Sequence, residues 1–261
     1  MDWQILRYDE VDSTNEVCKA LAAQGADNIA VIAAAQTAGK GRLGRSFRSP
    51  PGGLYLSVLW RDCPADQLFS VTPMAAVAVC RAVFSVCGAR CGIKWCNDVL
   101  LRSGKLSGIL TETCVRPLCP TSQKGSQKGS QKGNRFADWL VVGIGVNVGQ
   151  TSFPPDIADM ATSLALQGFH VSPDTLADAI LTQLTSLRAA LSDPAEWLSE
   201  YRSLCHNLGK QVQVLKGENA CRATALAVDD QFGLTVRYED GSIETVRSGE
   251  VSVRGTYGYA E

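Results

Sequence analysis

The residues able to do chemistry concentrate between Ala33 and Gly53, in the stretch AAAQTAGKGRLGRSFRSPPGG. Lys40, Arg42, Arg45 and Arg48 stand there among Gly39, Gly41 and Gly44, directly after the apolar run Ile29–Ala35. Glycine lets backbone approach a ligand closely and adopt positive φ. Four cations on such backbone make a site for a polyanion, most simply a nucleoside triphosphate. A solvated basic turn with no ligand is the competing reading, because charge runs are commonly solvated faces.

Two familiar phosphate-site templates fail. Gly39, Gly41 and Gly44 fit the spacing of a dinucleotide fingerprint, but that fingerprint needs a helix directly after it. Pro50, Pro51, Gly52 and Gly53 follow instead. A Walker A loop needs Ser or Thr after its lysine, and Lys40 is followed by Gly41.

Other polar groups could complete such a site. Asp12-Ser13-Thr14-Asn15-Glu16 reads as a helix start in which Ser13 and Glu16 have capping-box spacing. Capping alone would explain it, although a helix N-terminus also recognises small polar ligands. Lys94, Asn97 and Asp98 end a stretch read as a strand, Ile93–Asp98, and an Asn-Asp turn is the plain alternative. Lys105 opens the stretch KLSGILTE, in which Gly108 marks a close approach to ligand or backbone. Gly143 and Gly145 alternate in WLVVGIGVNV, so one strand face lacks side chains, and Asn147 lies near its end. His170 and His206 are the only histidines, and neither is paired in sequence with a nucleophile. His206 falls near a predicted helix C-terminus, which suits the dipole.

Composition narrows the classes. Hydrophobic residues make 45% of 261, enough for a sizeable core, and net charge is −1. That balance gives no general attraction to nucleic acid. No run reads as the roughly 18 apolar residues of a membrane span, and the N-terminus lacks a signal-peptide pattern. The expectation is a cytoplasmic protein. Its ten cysteines, with no C-x-x-C pair, are then expected to be reduced, mostly as small buried hydrophobes.

The elements that must position these groups follow in order. Strands are predicted at Trp3–Tyr8, Ile29–Ala35, Leu54–Trp60, Val99–Leu101, Lys105–Thr113 and Trp139–Val148. Helices are predicted from Ser13 to Gly25, over Asp66–Cys87, as a short piece at Asp159–Leu166, from Ser172 to Leu191, and from Asp193 to before Gly209. The polar repeat SQKGSQKGSQKGN at Ser122–Asn134 cannot bury apolar area. It predicts a disordered loop insertion at about residues 120–136. After Gly209 come short strands separated by KGEN, DDQFG, EDG and SGE turns, the pattern of a small β-barrel.

Five motifs, in order, carry a resemblance: DSTN at Asp12–Asn15, GKGRLGR at Gly39–Arg45, KWCND at Lys94–Asp98, KLSGIL at Lys105–Leu110 and GIGVN at Gly143–Asn147. With them the chain resembles the biotin protein ligases over nearly its whole length. The resemblance implies an α+β fold: a mixed-sheet catalytic domain over residues 1–208, related to class II aminoacyl-tRNA synthetases and to biotin–lipoate ligases. It implies an SH3-like β-barrel over residues 209–261. The chain starts at the catalytic strand, which looks like the family type without an N-terminal DNA-binding domain.

The implied activity is ATP-dependent conversion of biotin to biotinyl-5′-AMP, then transfer to a lysine of a biotin carboxyl carrier domain, with Mg²⁺ on the phosphates. By position, Ser13, Thr14, Asn15, Gln36, Lys40, Gly41, Arg42, Lys105 and Gly108 look like the biotin pocket. Arg42, Arg45, Phe47, Lys94, Asn97 and Asn147 look like the ATP side. Arg42 and Lys105 are the catalytic candidates, and Asp98 is the candidate for metal or for a base. A glycine-rich loop that orders over the ligands would bring Phe47 down onto adenine. Lys40 stands where arginine is commoner and lacks its bidentate fork, and Cys96 stands where the family has proline. The carrier domain is the implied partner, nucleic acid and membrane are not, and a homodimer is compatible with the family. A lipoate or octanoate ligase, a biotin-binding sensor and a DNA-binding regulator are the rival readings.

Overall fold

The stretch Leu54–Trp60 forms strand β3 and is buried along its whole length, as a strand covered on both sheet faces requires. The computed structural model describes residues 3–115, 136–216, 219–247 and 252–255. Around β3 lie β1 (Gln4–Val11), β2 (Ile29–Gln36), β4 (Cys91–Lys94), β5 (Asp98–Leu101), β6 (Gly104–Val115) and β7 (Ala137–Val146). Their order in the sheet is β1-β2-β3-β7-β6-β5-β4. β1 and β2 are parallel and the other neighbours antiparallel, so the sheet is mixed.

Alternation along the strands assigns the two faces. Leu54, Leu56, Val58 and Trp60 pack with helices α2 (Leu68–Cys87), α3 (Pro173–Ala189) and α4 (Ala195–Leu204) in the main core. Val31, Leu59 and Val141 point the other way, against Cys18 and Ala22 of α1 (Thr14–Ala23). α1 is short and covers only part of its face. The uncovered part carries two cross-strand rows: Tyr55, Gly145, Gly108 and Asp98 in one, Ser57, Gly143 and Leu110 in the next. These rows are the floor of the site, and the absence of side chains at the glycines makes it concave.

Several expectations are corrected. The helix expected at Asp159–Leu166 is a set of turns followed by a 3-10 turn at Ala165–Gln167. Its backbone N–H groups are used elsewhere: Thr162 donates to Lys105 O, Leu164 to Asn147 O and Ala165 to Val148 O. They tie this segment to β6 and to the end of β7, which precludes a helical ladder. The stretch Ile93–Asp98 is two strands, β4 and β5, joined by a turn at Trp95–Asn97 that contains a cis peptide between Trp95 and Cys96. Ser13 is the N-cap of α1 but makes no side-chain cap bond. Asp12 Oδ1 accepts from Ser13 N at 2.6 Å, and Glu16 is engaged by Lys19 and Lys40. By length and mean hydropathy, 1.7, the helical stretch Ala65–Cys87 does pass for a membrane span, contrary to the reading above, but 67% of that apolar window is buried inside the protein. The polar repeat at Ser122–Asn134 lies outside the described residues; Phe136, at the edge of the expected insertion, is described and pairs with Pro64.

After α4 the chain builds a second, antiparallel sheet from β8 (Gln211–Lys216), β9 (Asn219–Val228), β10 (Leu234–Tyr238), β11 (Ile243–Val246) and β12 (Ser252–Gly255), in the order β11-β10-β9-β8-β12. The two parts share one apolar core. Phe232 stacks on Trp197 at 4.7 Å between centroids and meets Tyr201 edge-on at 5.5 Å. Trp95 Nε1 donates to Phe232 O at 2.9 Å, and Trp95 N donates to Asn207 Oδ1 at 2.6 Å. The tail is thereby anchored to the turn that carries Asn97. His206, expected to suit a helix dipole, instead sits with Nε2 2.8 Å from Lys210 Nζ, and burial first, then Lys210, lowers its pKa.

Candidate active site

The cation-bearing loop is closed on itself rather than open. Gln36 pairs with Ser49 and Lys40 with Ser46 in isolated bridges. Phe47 N donates to Gly39 O at 2.9 Å and Gly41 N to Arg45 O at 2.7 Å. A side chain at position 39 could not be accommodated, because its Cβ would lie 2.4 Å from Phe47 O. At the tip, Leu43 and Gly44 take positive φ, 56° and 73°. The loop thus arches over the glycine floor with Phe47 already down. A Cβ on Gly145 would come 2.5 Å from the Phe47 ring, and one on Gly108 3.3 Å from it.

Under the arch is a cleft of about 1180 Å³, and every site residue named from the sequence lines it. The cations come together through neutral and acidic intermediaries. Arg42 donates to Asn97 Oδ1 at 2.9 Å and contacts Cys96 Sγ at 3.1 Å. Asn97 Nδ2 donates to Asp98 Oδ1 at 3.1 Å, and the same oxygen lies 2.7 Å from Lys105 Nζ. Lys105 folds back over Gly108, where a Cβ would lie 3.1 Å from its Nζ. Asp98, expected on the metal side, therefore has its carboxylate engaged by Lys105. Neighbouring backbone fixes the turn despite cysteine at position 96: Ile109 N donates to Asn97 O and His206 N to Ile93 O.

At the opposite end, the N-terminus of α1 builds a polar recess. Thr14 N donates to Gln36 Oε1 at 2.9 Å, and Gln36 Nε2 donates to Ser49 Oγ at 2.8 Å. Ser57 donates to Asn15 Oδ1 at 2.6 Å, and its oxygen lies 2.7 Å from Thr14 Oγ1. Asn15 Nδ2 donates to Glu112 Oε2 at 2.8 Å. Gly143 is required here, since a Cβ would lie 2.1 Å from Asn15 Oδ1.

Lys40 borders the cleft and pairs with Glu16, which Lys19 also engages at 2.6 Å. Those bonds, Lys19 first, hold the Glu16 carboxyl below its ordinary value. Arg45 is exposed at the mouth, and Lys94 is buried. Asn147 is buried, and its amide donates to Thr162 O at 2.9 Å and Lys105 O at 3.3 Å. It braces the wall next to Lys105. The four groups most directly missed from sequence are Ser57, Glu112, Ser49 and Tyr55. Ser57 was the most findable, as the polar residue in the middle of an apolar strand. Tyr55, whose hydroxyl donates to Pro50 O at 2.6 Å, is pushed up in pKa by burial. Burial likewise pushes the Cys18 thiol up to about 12 and Cys205 to about 11, as expected of inert packed thiols.

Comparison with known proteins follows the same outline. Residues 9–117 match the Biotin/lipoate A/B protein ligase family, and residues 208–254 match the Biotin protein ligase C terminal domain. The Biotin--[acetyl-CoA-carboxylase] ligase of Mycobacterium tuberculosis is 31% identical over 255 residues, covering 93% of this chain and 86% of that protein. The Bifunctional ligase/repressor BirA of Bacillus spizizenii is 34% identical over 170 residues; that match covers 63% of this chain and 47% of the relative, so the chain spans about half its length. A solved structure, the biotin protein ligase from Aquifex aeolicus in complex with biotin and ATP, superposes with a TM-score of 0.77 at 29% identity, covering 97% of this chain and 99% of that one. On the match to the mycobacterial relative, which covers most of both chains, the chain belongs to the biotin protein ligase family.

Proposed function

We propose that this chain joins biotin to ATP and passes the product to a lysine of a biotin carboxyl carrier domain. A biotin carboxylate oxygen attacks the α-phosphorus, forming the mixed anhydride biotinyl-5′-AMP and releasing pyrophosphate. The lysine amine then attacks the anhydride carbonyl, an amide forms, AMP leaves and the amine loses a proton. Neither step needs a nucleophile from the enzyme.

The demand is to hold two anions in line and offset the developing charge. The observation that carries the reading is the continuous link Arg42–Asn97–Asp98–Lys105 across the cleft floor. It sets two cations at one place where a carboxylate and a phosphate can meet. The polar recess at Thr14, Asn15 and Gln36 suits the ureido ring, and the Phe47 side of the glycine floor suits adenine. The closed loop and Phe47 exclude water from an intermediate that hydrolyses readily.

The described residues build no all-protein cage for Mg²⁺. Among the described residues no three His, Cys, Asp or Glu side chains are grouped to hold a metal ion, and Asp98 Oδ1 is engaged by Lys105 and Asn97. In this reading Mg²⁺ is the counter-ion that ATP carries, and no step above is routed through it.

Biotin-dependent exchange of pyrophosphate into ATP tests the proposal, run in parallel with lipoate and octanoate. Exchange with biotin, lost in Arg42→Ala and Lys105→Ala proteins of native stability, is the expected result. Exchange with lipoate alone would overturn it.

A further inference from the structure

Glu112 belongs to none of the groups so far given a role, and it does not line the cleft. It nevertheless closes the hydrogen-bond chain that runs through the recess. A carboxylate can only accept, whereas an amide has one donating and one accepting end. With Glu112 Oε2 2.8 Å from it, the Asn15 nitrogen must face Glu112 and the Asn15 oxygen must face Ser57. The reverse orientation would set two oxygens against each other.

The orientation propagates. Asn15 Oδ1 has no proton to give, so the single Ser57 proton goes to it. Ser57 Oγ also lies 2.7 Å from Thr14 Oγ1, and the Thr14 hydroxyl donates to Gln36 Oε1 at 3.1 Å. The Thr14 proton is thereby taken within the recess, and lone-pair capacity on its oxygen is left for a ligand in the cleft. We propose that Glu112 is a positioning residue that fixes the proton polarity of this chain. It holds the Asn15 amide with its oxygen toward Ser57, in a recess whose accepting oxygens suit a ligand bearing N–H donors, such as a cyclic urea.

This inference rests on the function proposed above, with biotin as the ligand. Lys19 supplies the control, since its ammonium pairs with the other Glu112 oxygen at 2.9 Å and with Glu16. The experiment measures biotin binding by calorimetry and KM for biotin and ATP in the exchange assay, for wild type, Glu112→Ala, Glu112→Gln and Lys19→Ala. Glu112→Ala should raise the biotin Kd and KM about tenfold, the scale of one lost buried hydrogen bond, with KM for ATP unchanged. Glu112→Gln keeps an accepting oxygen and should stay within about threefold of wild type. Lys19→Ala should leave the biotin KM near wild type. A biotin KM in Glu112→Ala within twofold of wild type, or an equal rise in Lys19→Ala, would overturn the assignment. So would a Glu112→Gln protein as impaired as Glu112→Ala. A wild-type chain that binds no biotin would instead overturn the function on which the proposal rests.

Discussion

Asp98 Oδ1 lies 2.7 Å from Lys105 Nζ and 3.1 Å from Asn97 Nδ2, which in turn joins it to Arg42. One carboxylate oxygen therefore positions both candidate catalytic cations. It does so at the row where β5 and β6 meet, opposite the side-chain-free Gly108.

Replacing Asp98 should damage catalysis more than folding. Asp98→Asn keeps the shape and removes the charge that holds Lys105, and a reacting group displaced by about 1 Å can cost about a hundredfold in rate. A drop of at least tenfold in biotin-dependent pyrophosphate exchange is expected, with a melting temperature near that of wild type. An unchanged exchange rate would show that Lys105 does not need this partner.

The two glycines of GIGVN should separate the two substrates. Gly143→Ala drives a Cβ to 2.1 Å from Asn15 Oδ1, whereas Gly145→Ala drives one to 2.5 Å from the Phe47 ring. Gly143→Ala should raise KM for biotin, and Gly145→Ala should raise KM for ATP, each by about tenfold. Steady-state kinetics with one substrate saturating reads this directly, and a swap of the two effects would reverse the assignment of the recess and the Phe47 side.

Phe232 should be a stability residue for both parts of the chain. It is 3% exposed and packs on Trp197 and Tyr201 of α4. Phe232→Ala should cost roughly 3 to 5 kcal/mol, the range for emptying a buried aromatic site. Denaturant melts followed by tryptophan fluorescence measure it, and a cost below about 1 kcal/mol would mean the tail is held by other contacts.

His206 makes stability depend on mild acid. Its folded pKa lies below the usual 6.5, first through burial and then through Lys210, so the folded state prefers neutral imidazole. A depressed pKa contributes stability above the unfolded value and loses it as pH falls through the folded value. Wild-type melting temperature should therefore fall as pH drops below about 6.5. His206→Gln, which does not titrate, should show a smaller fall across the same range. Parallel slopes in the two proteins would remove His206 from the effect.

Much of this molecule follows from local pattern. The apolar run Leu54–Trp60, the Ser172-Pro173 helix start and the Gly88 stop each state their structure through near-neighbour physics, and the structure has them at those places. The candidate site residues could be named because they sit in compact motifs that carry the family resemblance, and they line one cleft. The segment Asp159–Leu166 was not legible, because its backbone is claimed by strands far away in sequence. The same holds for the capping box, since Glu16 answers to Lys40, 24 residues distant.

The sequence, through its motifs and the family they resemble, set out the cations, glycines and small polar helix start that line one cleft. Tertiary structure alone decided how these groups are wired: Asp98 to Lys105, Glu112 to Asn15, and Phe47 over Gly145. The physical reason is that each of those relations depends on strand register. Register puts Ser57, Gly143 and Leu110 in one row and Tyr55, Gly145, Gly108 and Asp98 in the next, and it is fixed by the packing of the whole sheet rather than by any one strand.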